Sequence, residues 1–533
     1  MGNMKTPGVY IVEKSAFPNS VVEVSTAIPA FIGITEKAEN GNDSLKNKPW
    51  KISSMTEYMK YFGGGPEQVF EMSVVQEADA KGFYTISGKE GKLQVVKPKN
   101  KYTLYYNLIM FFANGGGTCY IVSVGTYRNK DMVDKGKVKE ALTALEKERE
   151  ITMIVVPEAV NNAEDCASIQ TQMLAHCAKM QNRFAIFDVQ PKEKDSETMD
   201  EQISKFRTNI GANFLSYGAT YYPWLETSVL GDKDITARVL SWKQDDTATL
   251  EKFFGKDSQL GSYVMKCLDQ IKNGKKIVKQ PEVDPETNEP RKDENGDIVM
   301  KETEEPLSAD DKQKIADELH SALSRNWPDY RLLVKGVKEY LNLLPPSAAV
   351  AGIYTMVDNT RGVWKAPANV SVNYVNSPSE IIDNTALENL NVPMNGKAIN
   401  AIRVFVGEGI KVWGARTLDG NSLDWRYVNV RRTMLFLEES VKNAARAYVF
   451  EPNDANTWLN MKCMIENFLY GVWKRGGLAG AVPEDAYGVH VGLGDTMTPE
   501  DILEGIMRIT VLVAISHPAE FIEITFQQQM QKS

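Results

Sequence analysis

The chain has 533 residues, of which 43% are hydrophobic and 25% charged, and carries a formal net charge of −9 at pH 7. That length exceeds a single domain of ~100–200 residues and supplies apolar side chains for more than one core. The acidic balance argues against a nucleic-acid partner, and the absence of an apolar run of ~18–20 residues argues against direct membrane insertion.

The N-terminus, MGNMKTPGVYIVEKS, lacks the basic start, apolar core and cleavage site of a signal peptide, so cytoplasmic assembly is expected. Residues 1–27 read as an extended linker arm: a β-rich run at Val9, Tyr10, Ile11 and Val12 is broken at Phe17-Pro18-Asn19 and resumes at Val21–Val24. A first strand of the chain's own sheet is the alternative that this pattern leaves open.

Residues 28–370 read as an α/β domain. Short apolar strands are predicted at Ala30–Ile34, Thr118–Val124, Ile151–Val156, Phe184–Asp188 and Ser216–Tyr222. Helical patterns lie at Thr56–Phe62, Leu104–Ala113, Val138–Arg149 and Ala163–Met180. Continuous apolar strands alternating with helices imply a largely parallel sheet covered on both faces. A variable insertion is expected around 226–340. Its segment 279–312 is charged and proline-rich; Asn295-Gly296 there turns either a protruding hairpin or a solvated loop. Ser308 to Asp311 supplies a helix start.

Residues 371–518 read as a C-terminal α+β domain. Strands are expected at Ile402–Phe405 and Ile410–Trp413, and helices on the apolar positions Val430–Ala444 and Trp458–Val472. A short helix follows at Thr498-Pro499, then a strand at Val511–Ile515. Residues 519–533 are a linker strand and polar tail: Ile522, Ile524 and Phe526 alternate with Glu523, Thr525 and Gln527.

Signatures of chemistry are missing. There is no G-x-x-x-x-G-K-[ST] loop and no G-x-S-x-G elbow, and Gly407-x-Gly409 lies between strands with Val412 in place of a third glycine. The four histidines, His176, His320, His490 and His517, are scattered and read as surface or packed residues. Cys119, Cys166, Cys177, Cys267 and Cys463 form no C-x-x-C pair, so no disulfide framework or zinc site is suggested. Glu438-Glu439 and Asp310-Asp311 read as solvated faces. No catalytic residue, metal ligand or cofactor is assigned, and the expectation is a non-enzyme.

Several segments resemble the contractile tail sheath proteins of phages and phage-tail-like particles. They are TPGVY-I-E at Thr6–Glu13, Val21–Gly33, FFANGGGTCYIVSV at Phe111–Val124, and Tyr221–Trp224. LPPSAAVAGIYTMVDNTRGVWKAPANV, Leu344–Val370, is the most specific. Ile402–Leu418, WRYVNVRRTMLFLEES at Trp425–Ser440, FEPND at Phe450–Asp454, and Pro518–Ile522 follow in the family's order.

The resemblance implies a structural subunit, a homo-oligomer stacked as hexameric rings around an inner tube protein, with baseplate and tail cap or terminator proteins as further partners. Contraction would drive the tube through a target envelope, and assembly would take place in a bacterial cytoplasm. It also implies an outer domain of subtilisin-like topology, without protease activity, and a C-terminal domain completed by strands from neighbouring subunits. Val9, Tyr10, Ile11, Val12, Phe521, Ile522, Ile524 and Phe526 are the expected pairing residues. Lys474 and Arg475, at the end of the helix Asn456–Trp473, are expected at the inner tube, with a solvated basic helix end as the alternative. A non-sheath component of the particle and an α/β hydrolase-like enzyme are the other readings.

Overall fold

A computed structural model describes residues 21–77, 82–192, 196–243, 247–281 and 300–525. The run Val9–Val12 and Phe526 lie outside the described residues. Gly65–Tyr102 and Glu226–Leu344 form one compact unit, and the remaining described chain forms another.

The larger unit is built on a nine-stranded sheet. Its strands are β1 (Pro29–Thr35), β2 (Trp50–Ile52), β3 (Cys119–Thr126), β4 (Met153–Val155), β5 (Phe184–Asp188), β6 (Gly218–Tyr222), β7 (Val370–Ser371), β8 (Asn400–Phe405) and β9 (Gly409–Trp413). The spatial order is β7-β9-β8-β6-β5-β4-β1-β3-β2. From β8 to β3 the neighbours are parallel; β2, β9 and β7 add antiparallel edges. β1, β5 and β6 are buried at every position, which requires cover on both faces. Helices α1 (Met55–Phe62), α2 (Leu104–Ala113), α3 (Lys135–Leu145), α4 (Cys166–Met180), α5 (Met199–Asn209) and α6 (Ser347–Arg361) lie within this α/β part of the unit.

The expected division at 370/371 does not interrupt this sheet. β8 pairs with β6 through Tyr221↔Asn400 and Tyr222↔Ala401, so the hairpin β8–β9 extends the α/β sheet. Gly407 and Gly409 lie at its turn. Beyond it come α7 (Val428–Ala445), α8 (Ala455–Lys474), β10 (Tyr487–His490), α9 (Pro499–Leu503) and β11 (Thr510–Val513). α7 and α8 share a core of Val430, Phe436, Leu437, Met461, Ile465, Phe468, Leu469 and Val472. Glu439, expected on a solvated face, is buried instead and pairs with Lys442 at 3.1 Å.

The smaller unit contains the expected insertion and also residues 65–102, which the local pattern did not assign to it. Its four-stranded sheet runs Leu240–Trp242, Phe70–Val75, Lys92–Val96, Gly82–Ser87. Helices Gln259–Asn273, Ala309–Asn326 and Pro328–Asn342 complete its core around Phe70, Leu93, Phe253, Val264, Leu323 and Val337. Ser308 and Asp311 form the expected capping box. Lys275–Pro281 pairs antiparallel with Met300–Pro306, as a hairpin requires; Asn295-Gly296 lies outside the described residues.

Candidate assembly surface

Both ends of the described chain are held by arginines. At the N-terminal end, Val21 and Val24 pack on the α7–α8 core, but residues 21–24 form no strand. The Val24 N–H donates to Ser440 Oγ at 3.2 Å, a side-chain substitute for a ladder partner. Arg432 donates to the Thr26 carbonyl at 2.9 Å and grips Asp358 through two nitrogens at 2.9 and 2.6 Å. Burial works against the Arg432 charge, but Asp358 beside it outweighs that and raises the guanidinium's pKa. Arg475 forms a two-pronged ion pair with Glu23. Cavities of about 650 and 380 Å³ flank residues 23–28, so this segment is held by polar grips more than by close packing.

At the C-terminal end, β11 leads into a stitched segment. Ala479 N–H donates to Ala514 O at 2.7 Å, and Ser516 Oγ donates to Gly476 O at 3.3 Å. Glu520 then receives Arg416 Nε and Nη2, Asn391 Nδ2 at 2.7 Å and the Tyr427 hydroxyl at 3.1 Å. Burial pushes this carboxyl up, and the hydrogen bonds from Arg416 and Asn391 outweigh it, leaving its pKa below the usual glutamate range. The chain emerges at the next residue: Phe521, Ile522 and Ile524 are 75%, 77% and 70% exposed. Residues 521–525 form no strand in this chain, contrary to the local alternation. A strand needs a ladder partner, and residues 521–525 have none among the described residues.

β10 and β11 form a two-stranded antiparallel sheet, and the described residues add no third strand to it. Isolated two-stranded sheets are marginal in water. Leu493, Leu503 and Leu512 are exposed in this part of the chain.

The two expected tube residues differ. Lys474 is exposed, 5.8 Å from the Tyr470 ring centroid. Arg475 is committed to Glu23 and to the face of Trp364, 5.2 Å away, because the chain turns at Gly476 directly after α8. The anchors Glu520, Arg416, Arg432 and Asp358 were not singled out by sequence reasoning. Of these only Arg432 lies in the motif WRYVNVRR: it reaches Asp358, and its neighbour Arg431 lies over the rings of Tyr217 and Trp425, at 4.0 and 4.5 Å.

Carboxylates belonging to the chain itself sit at two helix N-termini of the α/β part. Glu158 accepts from the N–H groups of Ile34, Thr103 and Leu104 at 2.8, 2.8 and 3.1 Å, at the start of α2. Asp188 accepts from Ser347 N–H at 2.7 Å and from its hydroxyl at 2.5 Å, at the start of α6. Helix N-termini at the carboxyl ends of parallel strands are where such sheets place anionic ligands. Here these two positions are filled by side chains. Among the described residues no group of three metal-ligating side chains is present, and no helix is long and apolar enough to cross a membrane.

A family model described as the phage tail sheath C-terminal domain matches residues 421–529. Among solved structures, the sheath complex of an extracellular contractile injection system, PVC, in its contracted state is 25% identical. It matches with a TM-score of 0.56 over 99% of this chain and 98% of that chain. The chain is similar to contractile sheath proteins along nearly its whole length, and its residues 421–529 match their C-terminal domain. A chain of the anti-feeding prophage (AFP) baseplate, also 25% identical, matches with a TM-score of 0.57 over 99% of both chains. The tail sheath protein of Vibrio phage KVP40 is 22% identical over 161 residues, which is 30% of this chain. The chain spans about a quarter of the length of the curated relatives it matches, 23% and 25%.

Proposed function

We propose that this chain is the sheath subunit of a contractile injection particle. It polymerises as stacked hexameric rings around an inner tube and contracts, driving the tube through a target envelope. The observation that carries the assembly step is the abrupt release of the chain at Glu520. One residue is fixed by three side chains, and the next ones present exposed phenylalanine and isoleucine in an alternating pattern. Such a segment is suited to adding a strand to another subunit's sheet, and the two-stranded β10–β11 sheet is the acceptor that lacks strands. The N-terminal run Val9–Val12 is the second donor.

Each backbone hydrogen bond contributes about 0.5–1.5 kcal/mol net, so one short strand is worth a few kcal/mol and a polymer of them a connected mesh. In this reading residues 28–370 are the outer α/β domain of subtilisin-like topology, with the insertion at 226–340. The β8–β9 hairpin stays with that α/β sheet, the residues from Val428 to 518 are the inner layer, and Lys474 faces the tube. Contraction is a rigid-body rearrangement of whole subunits on their arms; Val24–Pro29 and Asn373–Ser379 are anchored within the chain, through Ser440, Arg432 and Thr152 in the first case and through Asn114 and the Trp224 carbonyl in the second. Baseplate and cap proteins bound the stack. The test is co-expression with the particle's tube protein, followed by electron microscopy. Ordered sheath around tubes is the expected result, and soluble monomer beside bare tubes would overturn the reading.

A further inference from the structure

The motif Arg361-Gly-Val-Trp364 lies within Leu344–Val370, the most specific segment of the sequence, yet strand exchange by itself gives it no role. In the structure Trp364 stands between the two arm roots. Its ring packs under the Arg475 guanidinium, which holds Glu23 of the N-terminal root. Its carbonyl accepts from Asn429 Nδ2 at 2.9 Å, and the same amide donates to Ser516 O of the C-terminal root at 3.0 Å. Asn429 is almost completely buried, so its amide is fixed in place. The residue after Arg475 adds a second tie, since Gly476 O accepts from Ser516 Oγ at 3.3 Å.

The space for the indole is made by two glycines. A Cβ on Gly362 would lie 2.4 Å from Trp364 Cε2, and one on Gly477 would lie 2.9 Å from Trp364 Cδ2. Gly362 also has φ +91°, which a side chain would disfavour. The pattern G-x-W in one segment and G-G after α8 in another is therefore one packing requirement, read from residues more than a hundred positions apart in the chain.

We propose that Trp364, with Arg475 and Asn429, is a junction that fixes the N-terminal and C-terminal arm roots relative to each other. The subunit then enters the mesh as a rigid node with two arms at one set angle. The inference rests on the strand-exchange reading for its use in assembly, but the junction itself does not. Two arms that pivoted independently would each pair, but they would not impose a common spacing on successive rings. These are positioning residues: their effect on assembly runs through the arms.

The test reads the separation of the two arm roots and its spread. Nitroxide labels are placed at Val22→Cys and Ala519→Cys, both exposed sites, in the full chain carrying Cys463→Ser; the other four cysteines are buried. Distances are read by double electron–electron resonance with labelled chains diluted in unlabelled ones. A single narrow distance is expected. Trp364→Ala, Asn429→Ala and Arg475→Leu should each lose that narrow peak while the chain still melts cooperatively. Arg475→Leu removes an exposed ion pair and keeps the test open if Trp364→Ala does not fold. A narrow peak that survives Arg475→Leu and Asn429→Ala overturns the junction. Variants with a broadened distance should form irregular or short tubes. Regular tubes from them would overturn the role in assembly while leaving strand exchange standing, because strand exchange is judged separately by deleting the arms.

Discussion

Arg416 holds Glu520 through two of its nitrogens: Nε lies 3.0 and 3.1 Å from the two carboxylate oxygens, and Nη2 lies 2.6 Å from one of them. Arg416 is almost fully buried, so the pair is a firm anchor directly before the exposed residues 521–525. Glu520→Ala would leave a buried guanidinium without its carboxylate. The expected cost is about 2 kcal/mol, below the figure for a fully buried pair because Glu520 keeps some solvent contact. Denaturant unfolding measures it. The larger effect is expected on assembly, since the arm would leave at no defined angle: sheath yield in a pelleting assay should fall steeply. Wild-type yield from a destabilised Glu520→Ala chain would detach the clamp from assembly.

Removing residues 1–20, or residues 521–533, should leave a chain that melts as the parent does. Neither deletion touches the cores around Phe468 and Leu469 or the nine-stranded sheet. Neither chain should form ordered tubes, and mixing the two should not restore them, because each node then lacks one of its two connections. Electron microscopy decides the matter, and ordered sheath from either deletion would refute strand exchange by that arm.

Local pattern located the elements whose cause is local. Phe184–Asp188 and Leu104–Ala113 occur at their expected bounds because a continuous apolar run and a helical stripe are each set by neighbours a few residues away. The caps at Ser308 and Thr498 were legible for the same reason. Pairings over long sequence separations were not. β8 looks the same in sequence whether it belongs to a separate domain or continues the sheet at Tyr221, and residues 65–102 carry no mark of the insertion whose sheet they build. The Arg416–Glu520 clamp joins residues 104 positions apart. The arms fail in another way: Val21–Val24 and 521–525 have strand composition but no ladder partner among the described residues, and the family resemblance, not the local pattern, pointed to a neighbouring subunit.

Lys474 and Arg475 should separate under charge reversal. Lys474→Glu changes an exposed charge with no ion-pair partner among the described residues. Its stability should be unchanged, and its sheath formation on tubes should weaken most at low salt, where screening is least. Arg475→Glu places a carboxylate against Glu23 and removes the cation over Trp364. Its defect should persist at high salt, because misplacement of the arm root is not a screened long-range effect. A salt titration of assembly for the two variants is the measurement. Identical curves would mean that both residues do the same work.

His176 gives a prediction about acid stability. Its Nε2 lies 2.7 Å from Nη1 of buried Arg183, which also donates to the carbonyl of Leu145 at 2.8 Å. Arginine has no acceptor, so the imidazole must accept through Nε2 and be neutral. Burial and the neighbouring guanidinium push its pKa down to about 4. A folded pKa below the unfolded value means that the unfolded chain takes the proton first as pH falls. Stability from this site is therefore present above pH 6.5 and lost toward pH 4, by on the order of 3 kcal/mol. Glu158 and Asp188 act in the opposite sense, because burial raises both carboxyls to about 7 and the folded chain takes those protons first as pH falls below 7. The raw pH profile therefore mixes opposing contributions, and the difference between wild type and His176→Gln isolates one of them. That difference should be flat above pH 7 and should close, or reverse in favour of the glutamine variant, between pH 6.5 and 4. A difference that stays constant across the window would mean that His176 titrates normally and that Arg183 is not its donor.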